Sequence, residues 1–460
     1  MCGMYVAYQL AKHRPDTVVT LLEQSGQLGG TYGSIWDEHG DAHDFGMHLF
    51  YEACDERVDA PLREILPLED WHIWPGIQKD VAGLYWQGRL QTNSHYLDLR
   101  SLPDAVRESL RQSLFDAVHS NANWQGAASA GEYLTNKFGA DLAERYFAPV
   151  LQHLWHARPD ELAPYALRMV SMDRVIWSDH DEWVDGSSDE RYRAAIAIPD
   201  QRKLPPGVRT SPQRALYPKR YGFGHYIKQF EAKLVDLGVK VVRLAKISGL
   251  SVQADQRIVV DWSALGESKQ VTADWLYWAV SPFALLKSLD ASSVLPSADM
   301  PHHLGFAHFH LRHAPKMEDL YYFYCYDPGL NVFRVTNFSA YCATAATEQG
   351  YPVCVEMHYP SDAAAPTVEQ CLADAKRALV KLGVTTEEDI VATGPGHIHP
   401  FGFPRPTLKN QQAFAEVRSR LNDAGSKRIV LGGVAPDQGR FFLHEILLAA
   451  ANDVERIINE

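Results

Sequence analysis

The 460-residue chain has no apolar run close to the ~20 residues that a bilayer-spanning helix needs. It also lacks the basic blocks that dock on anionic membranes or nucleic acid. Its net charge of −13 repels phosphate backbones, so nucleic acid is not expected as a partner. The six cysteines show no C-x-x-C spacing, which argues against a disulfide or zinc framework and for reduced thiols. Met1-Cys2-Gly3-Met4-Tyr5 is not a basic stretch followed by an apolar one, so no signal peptide is expected and the expected location is cytoplasmic. G-x-S-x-G, H-E-x-x-H and the Walker A lysine motif are all missing. The histidine pairs 302/303, 308/310 and 397/399 have no Cys or Asp at ligand spacing, so no metal site is expected.

What is present suits a folded chain of two or three domains, with 46% hydrophobic and 22% charged residues. Helical periodicity covers 4–13, much of 101–170, 225–237, 365–382 and 441–458. Apolar β-branched runs predict strands over 18–22, 239–244, 247–252, 258–262, 276–280 and 428–431. Alternation over 303–312, 320–326, 331–337 and 352–359 predicts an antiparallel sheet. Residues 178–218, with Pro199, Pro205, Pro206, Pro212 and Pro218, suggest a long irregular connection or flap. The order predicts an α/β fold: a discontinuous Rossmann-like nucleotide-binding domain (1–50, 215–290, 415–460) with an inserted α+β substrate domain (51–214, 291–414).

A dinucleotide fold needs a glycine turn, a helix N-terminus facing the pyrophosphate, and an acid on the ribose about 20 residues further on. Gly3 opens the first helix, and Glu23 ends the next strand at that spacing. Gly29-Gly30-Thr31 follows, and two glycines let a phosphate approach the backbone closely. The first strand and first two glycines of G-x-G-x-x-G would lie ahead of Met1. The expectation is therefore a shortened sequence; the alternative is a true loss of that strand, which would put cofactor binding in doubt.

Tyr8-Gln9-Leu10-Ala11-Lys12, Val18-Val19-Thr20-Leu21-Leu22-Glu23-Gln24-Ser25 and Leu28-Gly29-Gly30-Thr31 together resemble the start of the FAD-dependent amine oxidase superfamily. That superfamily includes protoporphyrinogen oxidases, phytoene desaturases and UDP-galactopyranose mutases. Asp44-Phe45-Gly46-Met47-His48-Leu49-Phe50 is similar to the stretch that runs beside the flavin, nearest to the mutase form. Tyr217-Pro218-Lys219 with Gly222-Phe223-Gly224 resembles the return into the FAD domain, where Ile247 takes the place of the residue that meets adenine. Gly432-Gly433 and Arg440-Phe441-Phe442-Leu443 occupy the place of the second FAD motif, without its usual acid. The resemblance implies FAD as cofactor. It implies cofactor contacts from Gly3, Glu23, Gly29, Gly30, Thr31, Gly46, Met47, His48, Ile247, Gly433, Arg440, Phe441, Phe442 and Leu443.

Flavin performs the redox step, and the protein supplies position and electrostatics. His48 is a candidate for hydrogen-bonding the ring or moving a proton, or it is a structural histidine. Arg334, in an alternating strand, is a candidate for pairing with an anionic substrate, or it faces water. Arg440 and the amides of a helix beginning at Phe441 are candidates for flavin or pyrophosphate oxygens. Arg202, Lys203, Arg209, Arg214, Lys219 and Arg220 form a segment without acids, suited to an anionic small molecule or simply solvated. Trp155, Tyr217, Tyr322, Tyr324 and Phe333 are pocket candidates that read equally as core. Three functions follow: an FAD-dependent oxidoreductase taking a hydride from a small molecule, a sugar-nucleotide isomerase like UDP-galactopyranose mutase, and an accessory protein without cofactor.

Overall fold

The computed structural model describes residues 1–76, 81–120, 122–205, 212–400, 402–424 and 427–460. Pro206 and Arg209 lie outside the described residues. The chain folds as two compact units: Met1–Ile73 with Gln213–Ala298 and Asn410–Glu460, and Trp74–Pro212 with Asp299–Lys409.

The first unit is α/β. Helix Cys2–His13 leads to strand Thr20–Leu22, which pairs in parallel with Lys240–Val242. Strand Leu276–Trp278 pairs in parallel with Ile429–Leu431. Parallel strands need crossovers of a dozen residues or more, and here the helices supply them. Helix Phe223–Asp236 stops at Gly238, whose φ of +82° admits the closing bonds Gly238 N–H to Val235 O and Val239 N–H to Leu234 O. Cys2, Tyr5 and Val6 pack on Ile446, Leu447, Ala450 and Val454 of the last helix, Leu443–Asn459. The guanidinium of Arg14 reaches the carbonyls of Ile457 and Ile458. The two ends of the polypeptide therefore meet. Strands Lys246–Val252, Ile258–Ala264 and Glu267–Ala273 form an antiparallel sheet over a second core that includes Trp262, Leu285 and Val417.

The second unit is built on a seven-stranded sheet. Its order is Ile390–His399, His303–Leu311, Tyr351–Tyr359, Val332–Asn337, Tyr322–Cys325, Ala82–Trp86, Arg89–Gln91. One face buries Phe309, Phe323, Val335, Val353 and Val355 against Cys371, Ala375 and Leu379 of helix Val368–Lys381. Thr367 and Gln370 cap that helix reciprocally. Helices Asp104–His119, Ala130–Phe138 and Ala148–Trp155 belong to the same unit.

Several expectations change. The sheet is not wholly antiparallel, because Tyr322–Cys325 pairs in parallel with Ala82–Trp86. The segment 178–218 is not one irregular connection: it holds helices His180–Gly186 and Glu190–Ala195 and strand Ala215–Pro218. Helices Pro282–Leu289 and Leu408–Ala424 and strands Glu267–Ala273 and Ile390–His399 were not anticipated. Among the described residues no helix is long and apolar enough to cross a membrane. No group of His, Cys, Asp or Glu among them is arranged to hold a metal ion. None of the six cysteines forms a disulfide, and only Cys54 is exposed.

Candidate nucleotide-binding site

Glu23 lies at the end of its parallel strand. Its N–H donates to Val242 O at 2.9 Å, and its carbonyl accepts from Ala245 N–H at 2.8 Å. Ile247 follows two residues after Ala245, on the strand Lys246–Val252. The Glu23 carboxylate accepts the Ser25 N–H at 2.7 Å, which orients it at the start of the glycine loop.

The N-terminus of the first helix faces this strand end. A β-carbon on Gly3 would lie 3.4 Å from Leu21 Cδ1 and 3.8 Å from Ala279 Cβ, so the helix starts between two strand ends. The main-chain nitrogen of Met1 donates to Gly29 O at 3.3 Å. Gly29 has φ +102°, and a β-carbon there would sit 2.9 Å from Ile227 Cγ1. Gly433, with φ +79°, approaches Ala279 O, and Gly432 lies against the Tyr277 hydroxyl. That hydroxyl also meets Cys2 Sγ at 3.6 Å. Burial raises the pKa of both the Tyr277 phenol and the Cys2 thiol. Gly3 and Gly433 thus both approach Ala279, and Gly29 lies against the chain's first residue. Beside them, Ser25, Gly33, Trp36, Ile227, Lys228 and Arg243 line an open cleft of about 540 Å³.

The last helix begins at Leu443, not at Phe441. The N–H groups of Phe441 and Phe442 both donate to Glu445 Oε2 at 3.0 Å, so a carboxylate of this chain takes the donors that were candidates for flavin oxygens. Arg440 bonds Gln438 through one terminal nitrogen. Its buried Nε–H has no hydrogen-bond partner among the described residues.

Gly46, Met47 and His48 follow Asp44, a fully buried carboxylate. Asp44 Oδ1 accepts from Ser34 Oγ–H and Phe223 N–H, both at 2.7 Å, and Oδ2 accepts from Tyr217 O–H at 2.5 Å. Burial pushes its pKa up to about 6 against the pull of those three donors. Gly46 turns with φ +75° and donates to Asp44 O at 2.7 Å. The His48 ring meets Tyr32 edge-on at 4.8 Å. Tyr32 O–H donates to Leu49 O at 3.3 Å. Because Tyr32 directly follows Thr31, the glycine loop and the 46–48 stretch are adjacent. Asp44, Ser34 and Tyr217 were not singled out from the sequence as one network; only their residue types gave a signal.

Other candidates lie wholly or partly in the second unit. Arg334 is half-buried and forms a two-point ion pair with Glu356. Tyr322, Tyr324 and Phe333 surround that guanidinium at 5.3–5.9 Å. Tyr217 belongs to the first unit and serves Asp44, while Trp155, Tyr322, Tyr324 and Phe333 belong to the second. The described residues of the basic segment are divided between the two units. Arg202 pairs with Asp200 and Asp319 in the second unit, and Arg214 pairs with Glu52 in the first.

Residues 1–65 match the NAD(P)-binding Rossmann-like domain family. That match covers the first helix, the first parallel strand and the glycine loop. No curated protein matches it in sequence. Among solved structures, reduced UDP-galactopyranose mutase is similar at TM-score 0.73 and 15% identity, over 99% of this chain and 91% of that one. An Exiguobacterium sp. 255-15 protein assigned as a protoporphyrinogen oxidase is similar at TM-score 0.68 and 17% identity, over 100% and 96%. A redesigned putrescine oxidase follows at TM-score 0.59 and 11% identity, over 99% and 96%. The chain shares its fold with these three structures.

Proposed function

We propose that the first unit binds FAD and that the protein is a flavin-dependent oxidoreductase acting on a small molecule. The observation that carries the reading is the convergence of Glu23, the Gly3 helix start and Gly29, together with the unpartnered buried Nε–H of Arg440. The donor set fits a dinucleotide. A carboxylate at a strand end accepts ribose hydroxyls, helix amides and close-approach glycines receive a pyrophosphate, and an orphan guanidinium N–H awaits an anionic oxygen. FAD would supply hydride acceptance. On this reading His48 holds or moves a proton at the ring, while Gly46 and Met47 line it. Thr31 and Gly30 border the phosphates, Ile247 borders the adenine, and Gly433, Phe441, Phe442 and Leu443 close the far side. Arg334 acts through Glu356, shaping its surroundings more than binding an anion.

A second reading, a sugar-nucleotide isomerase using reduced flavin, is favoured by the extent of likeness to the mutase fold and by Gly46-Met47-His48-Leu49-Phe50. Titration of the purified protein with FAD, followed by visible absorbance, tests the common ground. Bound flavin is expected, with affinity falling on the order of tenfold or more in Glu23→Gln, the scale of a lost charged hydrogen bond. A folded protein that ignores FAD would remove both readings. Tight UDP-sugar binding only by the reduced protein selects the isomerase, and turnover of an amine or alkene selects the oxidoreductase.

A further inference from the structure

We propose that Asp44 is a positioning residue for the flavin-facing stretch Gly46–His48, which it ties to the first turn of helix Phe223–Asp236. The inference rests on the functional reading above.

The hydrogen-bond polarity around Asp44 is set by backbone amides. Gly222 N–H donates to the Tyr217 hydroxyl oxygen at 3.1 Å, and Gly224 N–H donates to Ser34 Oγ at 2.8 Å. Each hydroxyl has thereby accepted one proton and turns its own toward the carboxylate. Phe223 N–H, between those two amides, reaches Asp44 directly. Three successive amides of a helix start are thus satisfied by one cluster, in which only an acceptor-only side chain fits at position 44. The backbone permits this approach because Gly222 and Gly224 carry no β-carbon. At Gly222 a β-carbon would press on Ala42 Cβ at 2.5 Å, and at Gly224 on Trp36 at 2.7 Å.

The cluster reaches the site by two routes. Through the main chain, Asp44 O accepts Gly46 N–H and closes the turn that leads to His48. Through side chains, the Phe223 ring meets Phe50 at 4.8 Å and Tyr32 at 5.3 Å, and Tyr32 meets His48. Both ends of residues 44–50 are therefore held by the same helix turn. Burial favours the neutral acid, and the converging donors favour the carboxylate. The cost of holding a charge there is offset only if all three donors stay in place.

The test uses the full chain with Asp44→Asn, Ser34→Ala and Tyr217→Phe. Its readouts are FAD affinity by titration, the absorption spectrum and reduction potential of bound flavin, and far-UV circular dichroism. Asn places an N–H against a hydroxyl that already donates, so Asp44→Asn should retain the fold, shift the flavin spectrum and potential, and weaken FAD on the order of tenfold. Ser34→Ala and Tyr217→Phe should shift the same readouts in the same direction by less. If Asp44→Asn does not fold, those two variants decide on the same criteria. Variants that lose thermal stability but keep wild-type affinity, spectrum and potential would show a merely structural carboxylate and overturn the proposal. A wild-type protein that binds no FAD overturns the functional reading, and this inference with it. Wild-type binding with unshifted variants overturns this inference alone.

Discussion

Arg334 and Glu356 face each other across neighbouring antiparallel strands and close a two-point ion pair, Nε to Oε1 at 2.6 Å and Nη2 to Oε2 at 2.8 Å. Thr336 Oγ1 lies 3.4 Å from Oε1 on the same face. A buried pair like this adds little over a well-packed apolar pair, but removing one partner strands a charge.

Glu356→Gln and Arg334→Met should therefore each cost about 3–5 kcal/mol. The double replacement should recover much of that loss. Urea unfolding of the four proteins measures the coupling. Strictly additive losses would show that the two side chains do not depend on each other.

The second prediction concerns acid. His302 is buried, and its ring meets those of His156 and His358. Burial, then Arg405 and His156, push the His302 pKa down to about 4. Burial, then His302, push His358 to about 3. The ordinary value is 6.5, so between it and the folded values the unfolded chain binds more protons. Stability should be full above pH 6.5 and fall as the pH drops below it. His302→Phe should reduce that fall by on the order of 2 kcal/mol between pH 7 and 5. Parallel wild-type and variant curves over that range would refute the assignment.

Local signals made part of this molecule legible. The strand end at Glu23 was legible because it closes an apolar β-branched run, and the loop at Gly29-Gly30 because glycine adopts the positive φ found at both. The true start of the last helix was also legible in principle: Glu445 lies three residues after Phe442, the spacing of a reciprocal cap. Asp189, which accepts from Arg191 N–H and Tyr192 N–H, likewise marks a helix inside a segment that proline content made look irregular. Strand Ile390–His399 was hidden by Gly394, Pro395 and Gly396. Its glycines are there because His308 Cβ and Val368 Cγ1 come within 3.0 and 2.8 Å of where their β-carbons would be. Asp44 and Arg334 were opaque for another reason. Their partners at 34, 217, 223 and 356 are fixed by tertiary register, which no short window contains.

The glycine loop gives a third prediction. Gly29 combines φ +102° with a β-position 2.9 Å from Ile227 Cγ1, whereas Gly30, at φ +60°, has nothing within 4 Å. Gly29→Ala should cost on the order of 1–3 kcal/mol and weaken FAD binding, while Gly30→Ala should cost about 1 kcal/mol. Paired melting curves and FAD titrations check this. Equal effects at the two positions would mean that the packing against Ile227 does not constrain the loop.

The last prediction lies in the second unit. Lys137 is 3% exposed, donates to Tyr133 Oη at 2.9 Å and Asp173 O at 2.8 Å, and sits 4.2 Å from the centre of the Trp124 ring. Burial outweighs the attraction of Asp173 and pushes its pKa down to about 8 from 10.5. Between those values the unfolded chain binds more protons, so this group should make stability rise as pH increases from 8 towards 10.5. Lys137→Met removes the titration and keeps the bulk. The wild-type protein should therefore gain on the order of 2 kcal/mol relative to the variant between pH 8 and 10. Urea unfolding at both pH values isolates the term, because other alkaline titrations are common to the two proteins. A constant difference between them would place the Lys137 ammonium in contact with water, contrary to its burial beside Trp124.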